Sequence, residues 1–350
     1  MKARHCVARG FTLLELMIAM AIGVTTVIAA LQMLATTREA CRVNERVARL
    51  QEQARTAFAT IEPDVEMAGF YGFTQAAETV RLVRGGSART VVASALLLRQ
   101  FPLSSGDALP AAVGGLPAGA HACGVNFAVD VSTPVQGSNN AFALGRSPGT
   151  GCNAYQGRAQ AGADTLTMRR VGTRPTAAEA NRLQIYAARD TSRSAQFMFA
   201  DGNAPGPIDD DHEVHDLIVR TYYVARDSVG QKDFPALRVK SLTRSGINLI
   251  FDEDEVMSGV EDLQVQFGVS PDQSGRVSHY VQPDSPELPG AQIVSVRVWL
   301  RVRADEAEPS FVDTQTYRYA DVEFTPSGRD RNFRRVLMTR TMTLRNARST

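Results

Sequence analysis

The sequence predicts an α+β fold in which one long N-terminal helix packs on a mainly antiparallel β-sheet head. Residues 11–62 contain no proline and only one glycine, Gly23, so nothing there interrupts a helix. From residue 164 onward, short segments of alternating apolar and polar residues are separated by turn residues, which is typical of antiparallel strands. Between them, residues 70–163 are rich in glycine and alanine, which indicates a loop-rich, irregular insertion.

The predicted helix begins with a segment that is long enough to cross a membrane. Residues 11–35 are almost entirely apolar, and at about 1.5 Å rise per residue they exceed a hydrocarbon core of about 30 Å. Lys2, Arg4 and Arg9 precede them without any acidic residue, so we expect the N-terminus to stay cytoplasmic. Glu15 is the exception, because an ionisable side chain in such a segment is costly and by default functional.

The second part of the helix, residues 36–69, is amphipathic. Its apolar residues recur every three or four positions, which predicts that this part packs on the head. A coiled-coil partner is the alternative. The helix is expected to end near Pro63 or around residues 67–69. The stripe comprises Val43, Val47, Leu50, Ala54, Phe58, Ile61 and Val65.

Six strands are predicted in the β-rich head, residues 164–350. The clearest covers residues 293–303, where valines and Leu300 alternate with polar residues, Trp299 and arginines, so that one face points to the core. The six segments are residues 165–171, 217–224, 237–242, 260–269, 293–303 and 336–344.

The N-terminal segment resembles the type III signal of type IV pilins and type II secretion pseudopilins, because residues 10–15 read GFTLLE after a short basic stretch. The resemblance implies that residues 1–10 are a leader, that a prepilin peptidase cuts after Gly10, and that Phe11 is N-methylated. It also implies that Glu15 meets the Phe11 amine of a neighbouring subunit, where the two charges neutralise each other in a medium of low dielectric. An uncleaved signal anchor remains an alternative, but it leaves Glu15 without a partner.

Later segments are similar to the PilW-type minor pilins of type IV pili. They are ADTLT at residues 163–167, VRTYYV at 219–224, GVEDLQVQFG at 259–268, VSVRVWL at 294–300 and the closing residues 333–346. Residues 72–162 match little of that pattern. The predicted fold is therefore type IV pilin-like.

The resemblance implies a minor pilin that contributes to pilus assembly, in a priming or tip complex. Its expected partners are the prepilin peptidase/methyltransferase, other minor pilins and pilus subunits, and inner-membrane lipid, with the helix crossing the membrane once and the head in the periplasm. A J-like pseudopilin of a type II secretion system, a pilus-tip adhesin and a signal-anchored periplasmic enzyme are the alternatives.

The four cysteines fit that compartment. Cys6 leaves with the leader, and Cys41 lies on the helix. Cys123 and Cys152 lie in the same glycine-rich region of a chain expected in an oxidising compartment, so we predict a disulfide between them, with two free thiols as the alternative.

The sequence shows no phosphate-binding loop, paired zinc motif or nucleophile elbow, so no catalytic or cofactor-binding residue is predicted and an enzyme is not expected. A formal net charge of +1 gives no reason to expect a nucleic-acid partner. A positive stripe that contacts DNA is a further possibility for the C-terminal arginines, Arg334, Arg335, Arg340 and Arg345.

One dense group of ligand-type residues, Asp209, Asp211, His212 and His215, is the single candidate for a divalent cation. It lacks the mid-loop glycine and later glutamate of a calcium loop, so no metal site is predicted and a solvated acidic turn before the strand at 217–224 is expected instead. Residues 251–255 are expected to be a second exposed acidic turn. His121 and His279 are each isolated in the sequence and are expected at the surface.

Overall fold

The long helix passes Pro63, the first of its two predicted ends, and ends at the second, around residues 67–69. The computed structural model describes residues 12–73, 80–84, 90–94, 117–121, 123–124, 127–144, 151–189 and 196–347. Helix α1 runs over Leu13–Met67, 55 residues, and includes Pro63. It ends where Gly69 adopts a φ of 80°, a left-handed conformation that favours glycine.

Residues 1–49 and 50–350 form two units, each with its own internal contacts. In the first unit, the described residues are the N-terminal part of α1. It is the one helix in the described chain that is long and apolar enough to cross a membrane.

In the second unit, the rest of α1 packs on the head through the predicted stripe. Leu50, Phe58, Ile61 and Val65 are buried, together with Ala54 and Ala57. They contact the apolar faces of several strands and form the main core of the head. Each large apolar side chain that is fully buried contributes about 1.5–3 kcal/mol relative to an exposed one, so this stripe anchors the helix.

Fifteen strands form three sheets in the described residues. A nine-stranded sheet has the order β2-β1-β6-β5-β7-β4-β3, with β8 on β7 and β9 on β8; a four-stranded sheet has the order β11-β10-β12-β15; β13 and β14 form a hairpin. Every pairing is antiparallel except that of β1 with β6. The strands are β1 Arg81–Arg84, β2 Thr90–Ser94, β3 Val135–Ser138, β4 Thr165–Val171, β5 Ala180–Ala188, β6 Phe197–Asp201, β7 His212–Ala225, β8 Ala236–Ser245, β9 Asn248–Ser258, β10 Val260–Ser270, β11 His279–Val281, β12 Gln292–Arg303, β13 Tyr317–Tyr319, β14 Val322–Phe324 and β15 Arg335–Thr343.

The predicted fold class is confirmed, and all six predicted strands are present. The expectation of an exposed acidic turn at residues 251–255 is wrong, because these residues lie within β9 and Phe251 is buried. Glu253 and Glu255 instead form ion pairs with Arg238 of β8. The insertion, residues 70–163, also contributes β1, β2 and β3 to the nine-stranded sheet, so it is not irregular throughout.

Cys123 and Cys152 form a disulfide, with their Cα atoms 5.2 Å apart. Both cysteines are buried. Next to the bridge, the carbonyl oxygen of Gly151 accepts a hydrogen bond of 2.8 Å from Nζ of Lys240, which is itself buried in β8. The bridge therefore closes a loop of the insertion that is bonded to the nine-stranded sheet.

Removing the bridge is expected to destabilise the head. A chain with both Cys123→Ser and Cys152→Ser should lose about 3 kcal/mol of unfolding free energy, because the unfolded chain regains the entropy of a loop with a sequence separation of 29. The urea midpoint, followed by the fluorescence of the single tryptophan, measures the change. Cys41→Ser, at an exposed position on α1, is the control and should leave the midpoint unchanged. Equal midpoints for the double variant and the control would contradict this expectation.

Candidate functional site

The first turn of α1 is held by a reciprocal pair of side chains, Thr12 and Glu15. The backbone N–H of Thr12 donates to Oε2 of Glu15 at 2.9 Å, and the Thr12 hydroxyl donates to the same oxygen at 3.0 Å. The backbone N–H of Glu15 in turn donates to Oγ1 of Thr12 at 3.3 Å. This is a capping box, which satisfies two N–H groups that a helix start otherwise leaves unbonded. Gly10 and Phe11, the predicted processing residues, lie outside the described residues.

Behind this capping box, α1 presents a continuous apolar surface. Its large apolar side chains between Leu13 and Leu34 are 47–76% exposed. An exposed apolar surface of this extent marks a site that contacts lipid or another protein. The residues are Leu13, Leu14, Leu16, Met17, Ile18, Met20, Ile22, Val24, Val27, Ile28, Leu31, Met33 and Leu34.

Two family models match the chain at its two ends. The model of the prokaryotic N-terminal methylation motif matches residues 7–31, which include Glu15 and the start of the apolar surface. The model of the Type IV Pilus-assembly protein W matches residues 221–346, from the end of β7 through β15. The two matches together support a minor pilin of the PilW type. They point to a structural protein.

Comparison with individual proteins adds little to these matches. No curated protein matches the chain. Among solved structures, the Type IV-like pilin TTHA1219 from Thermus thermophilus is similar, with 15% sequence identity over 53% of this chain and 80% of that chain, and a TM-score of 0.25. A likeness at this level says nothing about function.

A buried carboxylate near the C-terminal end of α1 fixes the helix to the head. Asp64 is 1% exposed, and its Oδ1 accepts a hydrogen bond of 2.8 Å from Nη2 of Arg170. Its Oδ2 accepts bonds from Nη1 of Arg220 at 3.0 Å and from the Tyr222 hydroxyl at 2.8 Å. Burial raises the pKa of Tyr222, so the hydroxyl stays protonated and donates. The sequence reasoning missed Asp64, although an aspartate between Ile61 and Val65 on an apolar stripe was a signal for a buried ion pair.

A second buried cluster joins the hairpin and the strands of the four-stranded sheet. Glu261 accepts bonds from Nε of Arg301 at 2.9 Å and from Nε of Arg335 at 2.8 Å. Asp262, next to it, accepts a bond of 2.5 Å from the Tyr319 hydroxyl of β13. Hydrogen bonds to the two guanidinium groups and their charges outweigh burial and lower the pKa of Glu261. The Asp64 cluster and the Glu261 cluster therefore hold parts of the head together.

The structure does not bring together the four residues of the candidate cation cluster. His212 Nδ1 lies 2.7 Å from Oδ1 of Asp209, but His215 is buried and lies with Nε2 2.9 Å from Glu213 and Nδ1 2.8 Å from the carbonyl oxygen of Gly172. His212 and His215 are three positions apart in β7, and such residues point to opposite faces of a strand. In the described part of the chain, no three His, Cys, Asp or Glu side chains could hold a metal ion together.

The C-terminal arginines do not form a free positive stripe either. Each of them pairs with a carboxylate: Arg334 with Glu308, Arg335 with Glu261, Arg340 with Glu62 and Arg345 with Glu66. The last two pairs bind β15 and the segment after it to α1. His279 is exposed but not isolated, since its Nε2 lies 2.8 Å from Glu287.

Asp164 makes the stability of the head depend on pH. It is 1% exposed and accepts hydrogen bonds from the N–H groups of Asn140 at 2.7 Å and Val265 at 2.8 Å. Burial raises its pKa from 3.8 to about 7, and the nearby Asp321 and Asp262 add to the rise. Because the pKa is raised on folding, the stabilisation is fully present below 3.8 and is lost as the pH rises to about 7.

We therefore expect the urea midpoint of the wild-type chain to fall as the pH rises towards 7, and we expect Asp164→Asn to flatten that fall. Asparagine keeps an oxygen that can accept the two N–H bonds but does not titrate. Glu306→Gln, at an exposed carboxylate, is the control and should keep the wild-type slope. If the urea midpoint of Asp164→Asn still falls steeply with rising pH, another titrating group causes the pH dependence.

Proposed function

We propose that this minor pilin is cut after Gly10, N-methylated at Phe11 and incorporated into a type IV pilus as part of a priming or tip complex. The observation that carries the proposal is the methylation motif at residues 7–31 joined directly to the exposed apolar surface of α1. The partners proposed for it are the prepilin peptidase/methyltransferase, other minor pilins and pilus subunits.

Before assembly, residues 11–35 hold the chain in the inner membrane as a single span, with the leader on the cytoplasmic side and the head in the periplasm. Lys2, Arg4 and Arg9 support this orientation through the excess of positive charge before the span. The disulfide between Cys123 and Cys152 supports it from the other side, because such bridges persist in an oxidising compartment.

During assembly, the same apolar surface exchanges lipid contact for contact with neighbouring helices. Such exchange is favourable where helices pack closely and where their polar groups find partners. The partner proposed for Glu15 is the amine that cleavage creates on Phe11 of a neighbouring subunit. Thr12 supports this role, since its two hydrogen bonds hold the carboxylate at the start of the helix, where the neighbour's amine arrives.

Deletion of the gene tests the proposed role in assembly. A priming function predicts the loss of most surface pili, which electron microscopy of the deleted strain counts, and their return when the wild-type chain is supplied in trans. Normal pilus numbers with lost surface attachment would instead indicate a tip adhesin. Normal pili with lost protein secretion would instead indicate a pseudopilin.

A further inference from the structure

The outer face of the four-stranded sheet carries an open polar and aromatic surface, which we call the aromatic trough. Cross-strand neighbours share one face of an antiparallel sheet, so the register places two rows of side chains side by side. The first row is Gln264, Trp299 and Thr339, and the second is Gln266, Arg297 and Thr341. Gln264 is fully buried and donates a hydrogen bond to the carbonyl oxygen of Gly162. Trp299, Arg297 and Gln266 are half-buried, and the two threonines are exposed.

Two structural elements flank the aromatic trough. On one side, Tyr280 of β11 stacks on Arg297, with the guanidinium carbon 3.6 Å from the centre of the ring. On the other side, the hairpin β13–β14 covers Arg301, whose guanidinium carbon lies 3.7 Å from the centre of the Phe324 ring. The flanking rows are therefore covered, while Trp299, Thr339 and the row of Arg297 reach solvent.

The charge of the aromatic trough is not neutralised. Arg301 and Arg303, on the same strand, each pair with a carboxylate. Arg297 has no carboxylate within ion-pair distance among the described residues, and its side chain makes a hydrogen bond of 3.3 Å from Nε to Oγ1 of Thr341. Stacking on Tyr280 leaves the remaining N–H groups of the guanidinium plane available, and that plane matches a carboxylate.

We propose that the aromatic trough binds an acidic polysaccharide, a chain of sugar rings that carry carboxylates. The indole of Trp299 offers an apolar face to the C–H groups of a sugar ring. The hydroxyls of Thr339 and Thr341 and the amide of Gln266 can donate and accept the hydrogen bonds of sugar hydroxyls. Arg297 pairs with the carboxylate.

A protein partner fits this surface less well. The buried centre of a protein interface is apolar and contains little charge, whereas four of the five accessible side chains in the two rows are polar or charged. Neither row contains an acidic side chain, so the positive charge of Arg297 favours an anionic ligand.

The single tryptophan of the chain makes the test direct, because the fluorescence of Trp299 reports on the aromatic trough alone. The full-length protein, held in a zwitterionic detergent that carries no sugar, is titrated with oligogalacturonate and, separately, with neutral dextran oligosaccharides. We expect a saturable change in fluorescence with oligogalacturonate only, which weakens as salt is added. Arg297→Gln should weaken binding by about tenfold or more, as expected for loss of a charge-assisted pair.

Arg174→Gln is the matched control, since Arg174 is an exposed arginine in the loop after β4. It should bind oligogalacturonate as the wild type does. Calorimetry with Trp299→Ala tests the ring itself, and circular dichroism shows whether that variant is folded. The proposal is overturned by no saturable response, by an equal response to dextran, by equal losses in Arg297→Gln and Arg174→Gln, or by Trp299-dependent capture of a pilus subunit without sugar binding.

Discussion

Replacing Glu15 with leucine is expected to leave a protein that is cut and inserted in the membrane but enters pili at less than about a tenth of the wild-type level. The Phe11 amine of the neighbouring subunit would then be left charged and unpaired in an apolar fibre core. Removal of one partner of a buried ion pair costs about 3–5 kcal/mol, which is more than enough for a tenfold loss. Immunoblots of sheared pili and of the membrane fraction measure the ratio.

A second variant separates the charge from the capping box. Glu15→Gln keeps a side chain that can accept the bonds from Thr12, because glutamine also serves at this position of a capping box. If the charge matters, this variant fails as the leucine variant does, while Glu39→Gln, on an exposed carboxylate of the same helix, assembles normally. Normal incorporation of Glu15→Leu would contradict the pairing.

Removing the Asp64 carboxylate is expected to destabilise the head by about 3–5 kcal/mol, because two guanidinium groups and a tyrosine hydroxyl lose their common partner. The side chain of Arg170 is 14% exposed, so water cannot fully replace the lost carboxylate. The urea midpoint of Asp64→Ala, read from Trp299 fluorescence, measures the loss.

Two variants control for this measurement. Glu52→Ala removes a carboxylate from the exposed face of the same helix and should change the free energy of unfolding by no more than about 0.5 kcal/mol. Asp64→Asn keeps an oxygen for hydrogen bonds but loses the charge, so it should fall between the two. Equal midpoints for Asp64→Ala and Glu52→Ala would show that the cluster contributes nothing to stability.

The sequence was most informative where one local pattern determines the structure. In β12 the alternation of valines with polar residues matches the period of a strand with one buried face, so the strand and its inward face were both predictable. The apolar stripe of α1 is informative for the same reason. The prediction for residues 251–255 failed because four acidic residues beside one phenylalanine show no alternation of apolar and polar residues. Their partners, Arg238 and Lys240, are contributed by another strand.

The functional residues were likewise only partly predictable from the sequence. Gly10, Phe11 and Glu15 belong to one short motif, so a local pattern was enough to predict them. The capping box of Thr12 and Glu15 was not predicted, although Thr-x-x-Glu before an apolar run is its signature. The partners of Asp64, Glu261 and Arg297 were not predictable, because they come from strands that are distant in the sequence. The register of β10, β12 and β15 supplies that information only after folding.

Processing by a prepilin peptidase before assembly is the step on which the proposed function depends. The intact mass of the protein purified from membranes measures it, with tandem spectra of the N-terminal peptide to locate the change. We expect a chain that lacks residues 1–10 and begins with Phe11 carrying one methyl group. A chain that still begins at Met1 in cells with normal pili would overturn the proposal.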